Sequence, residues 1–269
     1  MAEQRLSDNW ESGSPYERYV GRWSRQVAPR FLAWLQLPAG LRWLDVGCGT
    51  GALSAAIVDG CEPRAVIGVD PSDGFLATAG EHLGDRATLR RGSATELPLP
   101  DRSVEAVVSG LVLNFVADQA AALAEMGRVA VPGGTVAAYI WDYAGRMELM
   151  RHFWDAAVAL DPDAASLDEG VRFPLCRPTA LQKLFVGAGL EQVAVAGIDI
   201  ATPFASFDDY WQPFLGGQGP APAYAMSLTQ AARARLRDRI RERLPHSAQE
   251  SFALVARAWA VRGVVPAGA

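Results

Sequence analysis

The chain is expected to fold as an α/β protein, a doubly wound sheet of seven mostly parallel strands with helices on both faces and helical insertions. Three observations predict this. Between residues 41 and 141, short apolar runs rich in Val and Ala alternate with helical patterns, which is the rhythm of strand–helix–strand units. The first of those runs leads straight into a glycine-rich turn, the junction at which open α/β sheets bind ligands. Half of the 269 residues are hydrophobic, enough to bury a sizeable core.

The elements follow in order. Residues 1–14 are polar, and from there Tyr19, Trp23, Val27, Phe31 and Leu35 recur every four residues on one helical face. Pro29 interrupts the stripe, so two short helices are expected, the second opened by that proline; Pro38-Ala39-Gly40 ends an arm over 1–40. Within 41–141, strands are expected at 41–46, 65–69, 87–91, 104–109 and 135–141. Helices are expected at 52–59, 72–83 and 118–131, with Val131-Pro132-Gly133-Gly134 as a turn. A helical insertion over 142–177 carries a helix near 148–160. The core resumes over 178–202 with a helix at 179–187 and a sixth strand at 190–200. A second helical insertion covers 203–250, in which Leu228, Ala232, Leu236, Ile240 and Leu244 mark an amphipathic helix and residues 216–220 a hinge. A last strand at 252–262 lies in the closing segment 251–269.

Composition narrows the function. The net charge is −5 and the pI about 5.3, unlike the clustered positive charge that phosphate backbones require. No apolar run reaches the roughly 18 residues that cross a bilayer, and the first residues carry no apolar signal segment. Cys48, Cys61 and Cys176 form neither a disulfide framework nor a CxxC metal pair, so a reducing, cytoplasmic setting is expected. There are 8 Trp, 6 Tyr and 10 Phe, yet residues 44–115 hold only Phe75 and Phe115. The aromatic surplus lies in the arm, at Trp141, in both insertions and near Trp259.

The chemistry concentrates in Leu44-Asp45-Val46-Gly47-Cys48-Gly49-Thr50-Gly51. Gly47 and Gly49 permit a tight turn with close backbone approach to a ligand, and Gly51 permits close strand–helix packing. Asp70, 19 residues after Gly51, ends the second strand, where a carboxylate can accept both hydroxyl hydrogens of a ribose. Dinucleotide sites space their glycines G-x-G-x-x-G to seat a pyrophosphate. Here the spacing is one residue tighter, and Asp45 would repel a pyrophosphate while suiting an ammonium or sulfonium. A ribose-binding aspartate beside a cation-tolerant turn fits S-adenosylmethionine better than a nicotinamide dinucleotide.

Four stretches carry a family resemblance: LDVGCGTG (44–51), GVDPSDGFL (68–76), GSATELPLPDRSVEAVVSGLVLNF (92–115) and VPGGTVAAYIW (131–141). Together they resemble the class I S-adenosylmethionine-dependent methyltransferases, whose core is Rossmann-like. Within that class the similarity is greatest to the branch of ubiquinone/menaquinone-biosynthesis C-methyltransferases and related small-molecule enzymes. The resemblance implies that Asp45, Gly47, Cys48, Gly49 and Gly51 surround the methionine part of the cofactor. Asp70 would hold the ribose, with Pro71 and Ser72 beside it, and Ser93 and Ala94 would border the adenine. Gly110, Leu111 and Asn114 would floor the site. The family often has aspartate where Ser93 stands; serine can still bond the adenine amino group.

The remaining candidates have competing readings. His152 is the best-placed histidine for a base, since His82 and His246 fall on expected surface segments. Tyr210, Trp211, Phe214 and Trp141 could line a lid over an apolar acceptor pocket or simply glue the insertions to the core. Tyr19 and Trp23 could cap the acceptor and the cofactor or could pack. The run Arg233, Arg235, Arg237, Arg239, Arg241 and Arg243 reads as a solvated helix face, and Cys48 as a small packing residue. The expected activity is methyl transfer by direct displacement to a small apolar or aromatic acceptor, with no nucleic acid and no membrane insertion and with a homodimer left open. The alternative is an S-adenosylmethionine-binding protein without methyl transfer, such as a cyclase or regulatory binder.

Overall fold

The structure, a computed structural model, describes residues 21–216, 219–244 and 251–268. Tyr19, His246 and part of the expected hinge at 216–220 lie outside them. Helix α1 is Arg22–Leu35, followed by β1 (Arg42–Val46), α2 (Ala52–Gly60), β2 (Ala65–Asp70), α3 (Asp73–Leu83), β3 (Thr88–Arg91) and β4 (Val104–Gly110). Then come α4 (Gln119–Val129), β5 (Ala130–Trp141), α5 (Glu148–Leu160), α6 (Glu169–Arg172), α7 (Pro178–Gly187) and β6 (Glu191–Phe204). The chain continues through α8 (Phe207–Trp211), α9 (Pro220–Ser227), α10 (Gln230–Arg243) and β7 (Phe252–Val264).

The seven strands form one sheet in the order β3-β2-β1-β4-β5-β7-β6. The pairs β1–β2, β1–β4, β2–β3 and β4–β5 are parallel, and β5–β7 is antiparallel. The expected α/β sheet is therefore present, with its strand order reversing between β1 and β4, the place where such sheets leave a crevice at the carboxyl ends of the strands. Helix starts are fixed locally: the Ser72 hydroxyl accepts from Phe75 N–H, and the Asp118 carboxylate accepts from Ala121 N–H.

Two local expectations are corrected. Pro29 lies inside a single helix, Arg22–Leu35, rather than opening a second one. Phe31 and Leu35 are fully buried beyond it, so packing carries the helix through the proline. The glycine turn at 131–134 is absorbed into β5. Gly133 sits at φ +78, and the pairing with β4 slips between Val104 and Ala106. Gly133 N–H donates to the Val265 carbonyl and Val265 N–H to the Gly134 carbonyl, at 2.9 Å each, so the residue that follows β7 holds the turn in the sheet.

The described chain divides into two compact units. The sheet unit comprises Ser24–Trp141, Leu175–Ile198 and Ala258–Ala269. In its core Leu44, Val46, Val107, Val136 and Ile140 pack with Leu123 and Met126 of α4 and Leu181 and Phe185 of α7. The insertion unit comprises Asp142–Pro174 and Asp199–Arg257 with residues up to Trp23. Its interior is aromatic: Phe153 stacks on Phe214 at 4.6 Å, and Phe204 meets both Trp23 and Tyr210 edge-on. Helix α10 buries Leu236 and Ile240 while Arg235, Arg237, Arg239, Arg241 and Arg243 face solvent. Among the described residues no helix is long and apolar enough to cross a membrane.

Candidate functional site

The site is built inside the sheet unit, where β1, β2 and β4 end. The turn after β1 takes three left-handed glycines, Gly47 at φ +72, Gly49 at φ +54 and Gly51 at φ +88, a region that side chains other than glycine rarely adopt. At Gly47 there is also no room. A methyl group there would lie 2.6 Å from both methyl carbons of Val112, in the loop after β4. The backbone amides of Gly47 and Cys48 donate to the Val69 carbonyl at 2.7 and 3.0 Å, pinning the turn to the end of β2.

Asp70 ties the two loops together. One carboxylate oxygen accepts Gly49 N–H at 3.0 Å and the other Ser72 N–H at 2.9 Å. These bonds hold its acid strength up against burial, which pushes its pKa upward overall. Each oxygen keeps a lone pair beyond its backbone bond, so the carboxylate is oriented and still able to accept from a ligand hydroxyl.

Asp45 behaves differently. It lies on β1 with only 1 % exposure. One oxygen accepts from the Ser54 hydroxyl at 2.7 Å, and the other has no partner. Burial, opposed by bonds from the Ser54 hydroxyl and backbone amide and reinforced by the nearby charge of Asp70, pushes its pKa up to about 7. A buried carboxylate with an open acceptor position fits a cationic ligand group and is wrong for a pyrophosphate. Cys48 packs its sulfur over Gly68, where an added methyl would lie 2.9 Å away. Burial, with Asp45 and Asp70 adding to it, drives its thiol pKa well above the ordinary value, so the packing reading holds for its side chain and a reactive thiol does not.

The loop after β4 supplies the third wall. Gly110 lies under the Tyr139 ring, whose hydroxyl would be 2.6 Å from a methyl there. Leu111 takes a left-handed φ of +63, anchored by its N–H on the Tyr139 carbonyl at 2.7 Å. Asn114, buried in the 3-10 turn Leu113–Phe115, has a side-chain oxygen without a partner. Ser93 follows β3, and its hydroxyl bonds that of Thr95 at 3.0 Å. Ala94 packs against the sheet core.

The glycine turn, Cys48, Asp70 and Ser72 are thus tied by hydrogen bonds at the end of β2, with Pro71 between Asp70 and Ser72, Asp45 bonded instead to Ser54 of α2, and Val112 of the β4 loop packed against Gly47. Trp141, the last residue of β5, is buried with its indole N–H unpartnered. Trp23, His152, Tyr210, Trp211 and Phe214 belong to the insertion unit. There Trp23 packs on Phe204 beneath the Arg22 guanidinium. Tyr210 and Phe214 are fully enclosed, and the Tyr210 hydroxyl donates to the Leu149 carbonyl at 2.8 Å. His152 is half-buried on α5, and burial lowers its pKa against the raising influence of Glu148 and Asp155. Two supporting residues escaped the sequence reading. Ser54 left a faint signal, a hydroxyl among the apolar residues 52–58 that open the helix. Val112 left none.

Comparison with known proteins finds relatives for the segment that carries this site. Residues 44–138 match the family described as "Methyltransferase domain". The demethylmenaquinone methyltransferase of Anoxybacillus flavithermus is 33% identical over 141 residues, covering 49% of this chain and 57% of that protein. This chain spans about half the length of the curated relatives it matches. Among solved structures, the phosphoethanolamine N-methyltransferase 2 of Haemonchus contortus in complex with S-adenosyl-L-methionine superposes with a TM-score of 0.58 at 17% identity, covering 98% of this chain and 58% of that one. The [4+2]-cyclase SpnF superposes at 0.56 with 19% identity, covering 90% and 80%. At those identities the two structures show the shared fold. Residues 44–138 are thus similar to a methyltransferase domain, and the relatives they resemble in sequence include demethylmenaquinone methyltransferases.

Proposed function

We propose that the chain transfers a methyl group from S-adenosylmethionine to a small acceptor by direct displacement. The observation that carries this reading is the pairing of two unlike carboxylates at one turn. Asp70 is oriented by two backbone amides and able to accept from ribose hydroxyls. Asp45 is buried with an open oxygen suited to a positive charge. When bound, the cofactor supplies a methyl group already activated by the sulfonium. The chain's own part is then to hold, align and exclude water. The glycine turn brings backbone against the methionine end, Pro71 and Ser72 flank the ribose, Ser93 and Ala94 border the adenine, and Gly110, Leu111 and Asn114 form the floor. Holding a nucleophile in line at about 3 Å supplies most of the acceleration that such a displacement needs.

A small-molecule acceptor is supported by the net charge of −5, which disfavours a nucleic-acid polymer. An apolar or aromatic one is supported by the concentration of aromatic residues outside 44–115 and by Trp141, which offers a buried ring and an indole N–H without a protein partner. His152, kept neutral by burial, is the proposed base for an acceptor that must lose a proton. A reducing cytoplasmic setting belongs to the same reading. The test is a tritiated-methyl transfer assay against fractionated small metabolites, with S-adenosylhomocysteine measured as co-product. Stoichiometric label and co-product establish the reaction. Tight cofactor binding with no transfer to any fraction would turn the reading toward a binder that does no methyl chemistry.

A further inference from the structure

We infer that Asp45 carries a proton in the ligand-free site and releases it to solvent when a cationic cofactor binds, so that cofactor binding and proton release are one coupled event. The inference rests on the proposed S-adenosylmethionine site and goes beyond it by making one residue the charge gate of that site. Its ground is geometric. Asp45 is 1 % exposed, its hydrogen bonds come only from the hydroxyl and backbone amide of Ser54 on α2, and one carboxylate oxygen faces no donor. The groups acting on it from the surrounding elements are few. Asp70 at the end of β2 is a second acid, and Ser54 is neutral; the Cys48 thiol in the turn lies near enough that the Asp45 charge acts on it. No Arg, Lys or His is among the groups that shift it.

A carboxylate buried with one oxygen unbonded and an acidic neighbour is an expensive ion. The proton is its compensation, as the rise to about 7 reflects. A ligand carrying an ammonium or sulfonium offers a better one. The exchange balances simply: the neutral acid and the free cation become a carboxylate–cation pair, and one proton goes to the solvent. Asp70 needs no such exchange, because two backbone amides already stabilise its charge.

The test is calorimetry of the whole chain with S-adenosylmethionine from pH 6 to 8, in paired buffers of low and high ionisation enthalpy such as phosphate and Tris. The expected result is release of roughly half a proton at pH 7, approaching one at pH 6 and vanishing by pH 8 and above, with affinity about fivefold weaker at pH 6 than at pH 7. In Asp45→Asn the release and the pH dependence both disappear. In case that variant fails to fold or bind, Ser54→Ala keeps the carboxylate and the backbone amide but removes the hydroxyl donor, so release at pH 7 rises above the wild-type value. A carboxyl carbon resonance titrating near neutrality in the ligand-free protein, absent from Asp45→Asn, tests the first half without ligand. Binding whose enthalpy is independent of buffer across this range overturns the inference and leaves the cofactor assignment standing. Failure to bind at every pH overturns the cofactor assignment itself.

Discussion

Gly47 and Gly49 differ by two positions and by one contact, and that contact separates their expected behaviour. Both have a left-handed backbone, but a methyl on Gly47 meets Val112, whereas nothing lies within 4 Å of the same methyl on Gly49. Gly49→Ala should therefore cost only the conformational penalty, about 1 kcal/mol. Gly47→Ala should cost on the order of 2–4 kcal/mol because clash and strain add. Urea denaturation of the two variants checks the order, and equal losses would show that Val112 yields freely. Asp70→Ala should weaken cofactor binding by about 1–3 kcal/mol, since two hydrogen bonds to a charged acceptor are lost. Titration of S-adenosylmethionine into the variant measures this, and an unchanged affinity would remove Asp70 from the ribose. The glycines and both aspartates were legible because their residue types encode backbone freedom and charge directly. Ser54 and Val112 were not, because their importance lies in which distant segment they touch.

At the scale of elements, the strands were legible from their apolar runs and the helices from their period, and the two misreadings share a cause. Pro29 and the Val131–Gly134 turn are local breakers that tertiary contacts overrule. In α1 the burial of Val27, Phe31 and Leu35 outweighs the missing backbone donor. In β5 the bonds from Gly133 and to Gly134 with Val265 outweigh the turn signal. Because Pro29 is exposed and only its backbone is costly, Pro29→Ala should restore a helical donor and stabilise the chain by about 1–3 kcal/mol. A thermal melt that rises by several degrees is the expected readout, and a fall would mean that the helix geometry depends on the proline. The arginine-rich helix α10 illustrates the opposite case. Its solvated face and buried Leu236 and Ile240 follow from period alone, because no long-range contact contradicts the local pattern.

Over the whole molecule, the sequence separates the glycine-turn core from its aromatic-rich insertions, since one carries the ligand-binding pattern and the others the bulky side chains. It does not show that the unit boundaries fall inside the long strands β6 and β7, because a strand that runs on past a boundary has an unbroken pattern. Each unit encloses one carboxyl group whose pKa folding pushes to neutrality or above. Asp45 is raised to about 7 in the sheet unit. Glu169, buried with the Trp154 indole N–H as its donor, is raised by burial to about 8 in the insertion unit. An acid whose folded pKa lies above its unfolded value binds its proton more tightly when folded. Its contribution is complete below the unfolded value and lost as pH rises through the folded one. His152 acts in the opposite sense, but only below its ordinary value of 6.5. Between pH 6.5 and 8 the two acids therefore dominate, and stability should fall with rising pH, by up to about 1.4 kcal/mol per pH unit for each proton held. Urea unfolding at half-unit intervals should show the steeper loss below pH 7, where both acids contribute, and a remaining slope up to pH 8 from Glu169 alone. Glu169→Gln keeps an oxygen for the Trp154 indole and removes the titration, so it should flatten the upper part. Asp45→Asn should flatten the lower part. A Glu169→Gln protein that still loses stability between pH 7 and 8 at the wild-type slope would mean that Glu169 is ionised in its buried place.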